Sequence, residues 1–294
     1  MTDSPSARLL TATRRPDVSA NALAPPPHAR DNGKIVGLFR ELFSYRELAF
    51  FLAWRDIKVR YKQAVLGILW AVIQPLFTTV VFTILFGKLA NLPNDGMPPS
   101  VFYLSGLVPW LYFSSTVTNV SMSLVSNADI LTKIYFPRIL LPTAVAGGNL
   151  VDFVIGAVIV MVTAVICGVH PSFSWLLWPL LMVPTLVLSL SVGMILAALN
   201  VKYRDIRYVV PFAIQLWLFA TPIIYPASLV PEQYRLLLGL NPLSGLIEVF
   251  RHSLNPNVVL HWDLLATSLA ITIGLFIGAI AFFTRSERAF ADYV

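Results

Sequence analysis

Residues Phe50 to Gln63 read FFLAWRDIKVRYKQ and run without a break into AVLGILWAVIQPLFTTVVFTILFG, which carries no charge until Lys88. At 3.6 residues per turn, Phe50, Trp54, Ile57 and Tyr61 fall at i, i+4, i+7 and i+11 and share one helix face, with Arg55, Lys58 and Lys62 on its flank. A basic amphipathic helix of this kind lies in the headgroup plane, with its aromatics inserted and its cations toward anionic lipid. The uncharged run after Gln63 exceeds the roughly 20 residues needed to cross a hydrocarbon core. The chain therefore lies on a membrane and then enters it. An ordinary positive flank that only orients the first span fits the same residues. The stripe of four large side chains is what favours an interface helix.

Composition agrees. Hydrophobic residues make up 57% of the chain and charged residues 12%, and the mean hydropathy of +0.74 is too high for a soluble globular domain. Stretches free of Asp, Glu, Lys and Arg run over 63–87, 96–128, 153–201, 208–231 and 264–284. The third is interrupted at His170-Pro171-Ser172 and divides into two spans, one beginning near Leu141 and the other covering about Trp175 to Leu199. The fold expected is an all-α polytopic membrane protein: six transmembrane helices, an N-terminal amphipathic interface helix and re-entrant outer helices between spans five and six. Residues 1–40, rich in Pro, Ala, Ser and Arg, read as a disordered cytoplasmic tail. The interface helix takes 41–63, the six-helix bundle 64–285 and a second cytoplasmic tail 286–294.

Lys and Arg number eleven before the first span, two in the 123–141 loop, three in the 200–207 elbow and two after 284, against Lys88, Arg235 and Arg251 on the opposite side. This bias puts both termini in the cytoplasm. It accounts for the net charge of +6 through topology, leaving no folded basic domain for nucleic acid. The single Cys167 excludes an intrachain disulfide and a cysteine-based metal site. No phosphate loop, H-E-x-x-H or G-x-S-x-G occurs, and His28, His170, His252 and His261 show no metal spacing. Catalysis by this chain, and a cofactor of its own, are not expected.

Several stretches carry candidate function. Gln74-Pro75 kinks the first span, and Trp70 and Phe77 lie seven residues apart on one of its faces. In the second span, Trp110, Tyr112 and Phe113 cluster away from the interfaces and are followed by Ser114, Ser115, Thr116, Thr118 and Asn119. Aromatic faces beside hydroxyls suit a sugar-handling path, and equally suit helix packing with small polar groups. The inner loop SNADILTKIYFPRILLP offers Asn127 or Asp129 as the cap of a short helix that Pro137 stops. Lys133, Tyr135, Phe136 and Arg138 would then form an exposed docking knob, or the helix packs on its own bundle. Asp152 is the one carboxylate at membrane depth. It must pair, protonate or face the interior, and a hydrogen bond to a neighbouring helix is the reading its place near a span end favours. Trp175 and Trp178 read as interface anchors, while Glu232, Glu248 and Asp263 read as scattered outer-loop residues.

The stretches WRDIKVRYKQAVLGILWAVIQP, YFPRILLP, NVKYRD, LFATPIIYP and NPLSGLIEVFR, in that order, resemble the permeases of type-2 ABC transporters. The likeness covers about Leu42 to Arg285 and is nearest to the polysaccharide and polyol-phosphate exporters of O-antigen, capsule and teichoic acid. It implies a homodimer of this chain in the bacterial cytoplasmic membrane with two copies of a separate ATP-binding subunit that carries ATP and magnesium. It implies that Phe50 to Lys62 is an interface helix and that Asp129 to Phe136 belongs to an element seated on the ATPase, with Asn127 and Arg138 beside it. It also implies that aromatics of spans one, two and five, Trp217 and Phe219 among them, line a path for a lipid-linked polysaccharide. A non-transporting scaffold of a glycan-assembly complex and a small-lipid or drug exporter are the competing readings.

Overall fold

A computed structural model of the chain describes residues 43–62, 67–133 and 136–293. The 1–40 tail, Gln63 and Tyr135 lie outside the described residues. The helices are α1 (Arg46–Lys62), α2 (Leu69–Phe82, continued by a wider turn over Thr83–Leu89), α3 (Pro99–Ser126), α4 (Ala128–Lys133), α5 (Leu140–Gly148) and α6 (Leu150–Ile166). They are followed by α7 (Leu177–Lys202), α8 (Ile206–Ala220), α9 (Glu232–Gly239), α10 (Pro242–Leu254) and α11 (Trp262–Tyr293). Four stretches among the described residues are long and apolar enough to cross a membrane: Leu69–Leu89, Leu140–Ile166, Phe173–Lys202 and Trp262–Glu287. Helix α8 is apolar but short, and α3 is long but carries many hydroxyls and amides.

The polar content of α3 follows from its position. It is the hub of the bundle, packed against α7 most extensively and also against α2, α5, α6 and α10, and it is buried along most of its length. Several of its serine hydroxyls are satisfied locally. Ser105 donates to the Phe102 carbonyl at 2.9 Å, Ser121 to Thr118 at 2.7 Å and Ser123 to Val120 at 2.7 Å, which is how a helix without water nearby accommodates such groups. Two glycines let neighbours approach closely: a Cβ at Gly193 of α7 would lie 2.6 Å from a Val120 methyl, and one at Gly156 of α6 would lie 2.8 Å from a Val108 methyl.

The opposite end of the molecule from α1 and α4 is closed by α9 and α10. Helix α10 is buried on every side. Asn241 caps its start by accepting from Leu243 N at 3.2 Å, and its amide also donates to Thr221 Oγ1 at 2.8 Å, tying α10 to the end of α8. Glu248 accepts from His261 N at 3.1 Å and pairs with its Nδ1 at 2.5 Å, fixing α10 to the start of α11. Arg251 donates to the carbonyls of Pro222 and Ile223 at 2.8 and 2.9 Å and stacks 3.7 Å over the Phe102 ring.

Three expectations are corrected here. Glu248 and Arg251 are buried and paired, not outer-loop charges, because α10 packs into the bundle. Trp178 is no interface anchor: it is buried against Phe250, with Nε1 donating to Ser253 Oγ at 3.0 Å. Phe136 is buried in the core that α1, α5 and α7 share, so it is absent from the exposed knob. The last helix, α11, runs on to Tyr293 through the residues expected as the second tail, since nothing between Arg285 and Tyr293 breaks helical propensity.

Candidate functional site

Helix α1 lies across α5, with Leu52 buried and Ala49 and Ala53 packed at its contact. This contact divides the expected aromatic stripe. Phe50 and Trp54 stack on each other, centroids 6.3 Å apart, and are exposed, with Lys58 Nζ 5.6 Å over the Trp54 ring. Ile57 and Tyr61 turn toward the bundle, the Ile57 side chain lying close to Gly148. Lys62 is exposed at the helix end. Arg55 does not sit with the free cations: it pairs with Asp56 at 2.8 Å and donates to Asn127 Oδ1 at 2.9 Å, joining α1 to the turn before α4.

Asn127 thus acts as a bridge, its amide donating to the Ser123 carbonyl at 2.9 Å. Asp129 occupies the first turn of α4, Lys133 is its last residue, and Arg138 donates to the Glu287 carbonyl at 2.7 Å.

The most distinctive chemistry lies where the far end of α1 meets the Asp152 carboxylate. Arg60 Nη1 donates to Asp152 Oδ2 at 2.6 Å and Nη2 to Asn149 Oδ1 at 2.6 Å. Tyr61 donates its hydroxyl to Asp152 Oδ1. Asn149, fully buried, donates to Thr116 Oγ1 at 3.1 Å and receives Asn119 Nδ2 at 3.3 Å. Burial, then the hydrogen bond to Asp152 and its charge, push the Tyr61 phenol well above the ordinary range, so it remains a donor. Both Asp152 oxygens are engaged, and the pair is neutral overall. Asp152→Asn is expected to lower the unfolding free energy by about 1–2 kcal/mol, the lower range for a charge-assisted bond because both side chains are partly solvated. Arg60→Gln should cost a similar amount, and the double variant less than the sum, as read by thermal unfolding in detergent.

This network forms one wall of a groove of about 490 Å³ between α1, α2, α3, α6 and α8. Trp70 and Tyr112 share the groove, as do Gln74, Ser114, Ser115 and Thr118. The other aromatics expected on a path do not reach it. Trp110 and Phe113 are buried in the core of this single chain, 5.6 Å apart, with Phe113 meeting Trp217 at 5.0 Å. Trp217 donates to Asn241 Oδ1 at 3.0 Å. Phe77 and Phe219 are 69% and 59% exposed on the bundle's outer surface. Sequence reasoning missed Arg60, which it counted only for orientation, and Asn149. The demand of Asp152 for a partner was the available signal, and Asn149 three residues earlier shares its helix face. No group of three or more metal-ligating side chains is present among the described residues.

The chain matches the ABC-2 type transporter family over residues 47–255. It is 31% identical over 264 residues to the O-antigen export system permease protein RfbA of Myxococcus xanthus, covering 88% of this chain and 100% of that protein. A protein of the same name from Klebsiella pneumoniae is 30% identical over 242 residues, covering 81% of this chain and 91% of the relative. The polysialic acid transport protein KpsM of Escherichia coli is 27% identical over 245 residues, covering 79% and 91%. The matched region takes in α1, the Arg60 and Asp152 network, the groove and the α9–α10 closure, so this chain belongs to the ABC-2 type transporter family.

Proposed function

We propose that this chain is the membrane permease of an ATP-driven exporter that moves a lipid-linked polysaccharide of the O-antigen or capsule type across the bacterial cytoplasmic membrane. The observation that carries the reading is similarity along nearly the whole chain to permeases named for O-antigen export and polysialic acid transport. The membrane-length helices and the polar groove beside Arg60 are consistent with it. In this reading α2, α3, α5–α6, α7, α8 and α11 are the six spans, and α9 with α10 forms the re-entrant element between the fifth and sixth. The 41–63 interface helix leads into a 64–285 permease domain, flanked by cytoplasmic tails, with both termini inside. Two copies assemble with two copies of a separate ATP-binding subunit, which holds ATP and magnesium.

The ATPase seat is α4 with Asn127, Asp129, Lys133, Tyr135 and Arg138. Phe136 supports it from beneath. Movement of α4 reaches α1 through Asn127 and Arg55, and α1 reaches α6 through Arg60, Tyr61 and Asp152. Arg55→Gln should therefore leave ATPase binding intact and lower export per ATP hydrolysed by about fivefold, the equivalent of about 1 kcal/mol for one partly exposed hydrogen bond. Measurement of both rates in proteoliposomes tests this, and an unchanged ratio would remove Arg55 from the coupling route. The reading as a whole is tested by co-expression with ATP-binding subunits of this family: failure of any to co-purify with the chain would overturn it.

A further inference from the structure

We propose that the groove beside Arg60 recognises an uncharged, hydroxyl-rich sugar unit of the exported glycan and not its phosphate linkage; the inference rests on the transport reading above. The chemistry of the walls decides between the two. Ser114 donates its proton to the Leu111 carbonyl at 3.1 Å, Ser115 to the Tyr112 carbonyl at 3.2 Å and Thr118 to the Ser114 carbonyl at 2.8 Å. With the protons committed to the backbone, what each hydroxyl keeps for a ligand in the groove is its lone pairs. That wall accepts hydrogen bonds and offers few.

A phosphoryl group is acceptor-only, so it gains nothing from such a wall. It would also meet the Asp152 carboxylate, whose two oxygens are already taken by Arg60 and Tyr61. The one guanidinium lining the groove among the described residues is neutralised by that pairing and has given a further donor to Asn149, and Tyr61 is held as a neutral phenol. A sugar ring matches each feature. Its hydroxyls donate to the Ser114, Ser115 and Thr118 oxygens and accept from the remaining guanidinium N–H groups and the Gln74 amide. Its apolar C–H face lies against the half-exposed Trp70 ring, which borders the groove. A volume of about 490 Å³ lies within the roughly 300–1,000 Å³ of small-ligand sites.

The test places a benzophenone photocrosslinker at Trp70, an aromatic replacement at a half-exposed position, in the intact transporter complex in cells that make the glycan. The same group at Phe77, outside the groove, is the control. After irradiation the adduct is treated with mild acid, which severs sugar from lipid diphosphate. Sugar retained on the protein at position 70, and not at 77, is the expected result. Lipid phosphate retained without sugar would overturn the proposal, as would no adduct at position 70 in cells that export normally. If the wild-type complex exports no glycan, the transport reading itself fails, an outcome that the export assay separates from a failed crosslink. As a second measurement, Ser114→Ala, Ser115→Ala and Thr118→Val combined should lower export about tenfold through three lost acceptors, with complex yield unchanged. Wild-type export by that variant would also overturn the proposal.

Discussion

Arg251→Met is expected to lower the unfolding free energy by about 2–4 kcal/mol, from two carbonyls orphaned at roughly 1–3 kcal/mol each, less the desolvation cost that the guanidinium no longer bears. Arg251 is 2% exposed and spans the break after α8, one nitrogen on Pro222 O and the other on Ile223 O. Prolines at 222 and 226 prevent the chain from closing those carbonyls by continuing α8, and Pro222 and Ile223 are both buried. The forked geometry is the reason for arginine: two donors a fixed distance apart meet two successive carbonyls while the flat face covers Phe102. Arg251→Lys keeps the charge but has no fork, so it should be destabilised nearly as much. Thermal unfolding of both variants in detergent checks the order. Full stability of the lysine variant would show that charge, not bidentate geometry, holds the break.

Gly245→Ala is expected to cost about 1–3 kcal/mol or more, the range for overpacking against atoms that cannot yield. An added Cβ would lie 2.7 Å from the Leu264 carbonyl oxygen, 2.7 Å from Ser268 Oγ and 2.8 Å from Leu265 Cα. Two of the three are backbone of α11, so α10 would have to move away. Its Gly245 N–H would then lose Ser268 Oγ at 3.1 Å. The matched control is Gly147→Ala, where nothing lies within 4 Å of the new methyl. Helical propensity alone should make that change neutral or slightly favourable. Thermal unfolding of the two variants side by side separates close packing from helix propensity.

Much of the architecture was legible because it follows from hydropathy and local punctuation. The charge-free stretch 96–128 holds the helix Pro99–Ser126, and the span expected from Leu141 begins at Leu140. His170-Pro171 divides the long apolar run as anticipated, with α6 ending at Ile166 and a short turn opening at Phe173. What failed depends on contacts between residues far apart in sequence. Arg251 and Glu248 look like loop charges until α10 is seen packed inside the bundle. Arg60 looks like one more cation in a basic helix, and only the fold places it against Asp152, 92 residues away. Trp110, Tyr112 and Phe113 do form a cluster, as their spacing implied, but α3 is the hub, so Trp110 and Phe113 face the chain's own core. The groove draws on five helices, and single-helix periodicity contains no record of which neighbours they have.

The most direct test of the central claim is transport itself. The chain is reconstituted with its ATP-binding subunit in vesicles, the lipid-linked glycan is supplied on the ATPase side, and sugar protected inside is measured with and without ATP. The account predicts ATP-dependent accumulation, abolished when the ATP-binding subunit is omitted. A well-assembled complex that hydrolyses ATP yet moves no glycan would contradict it.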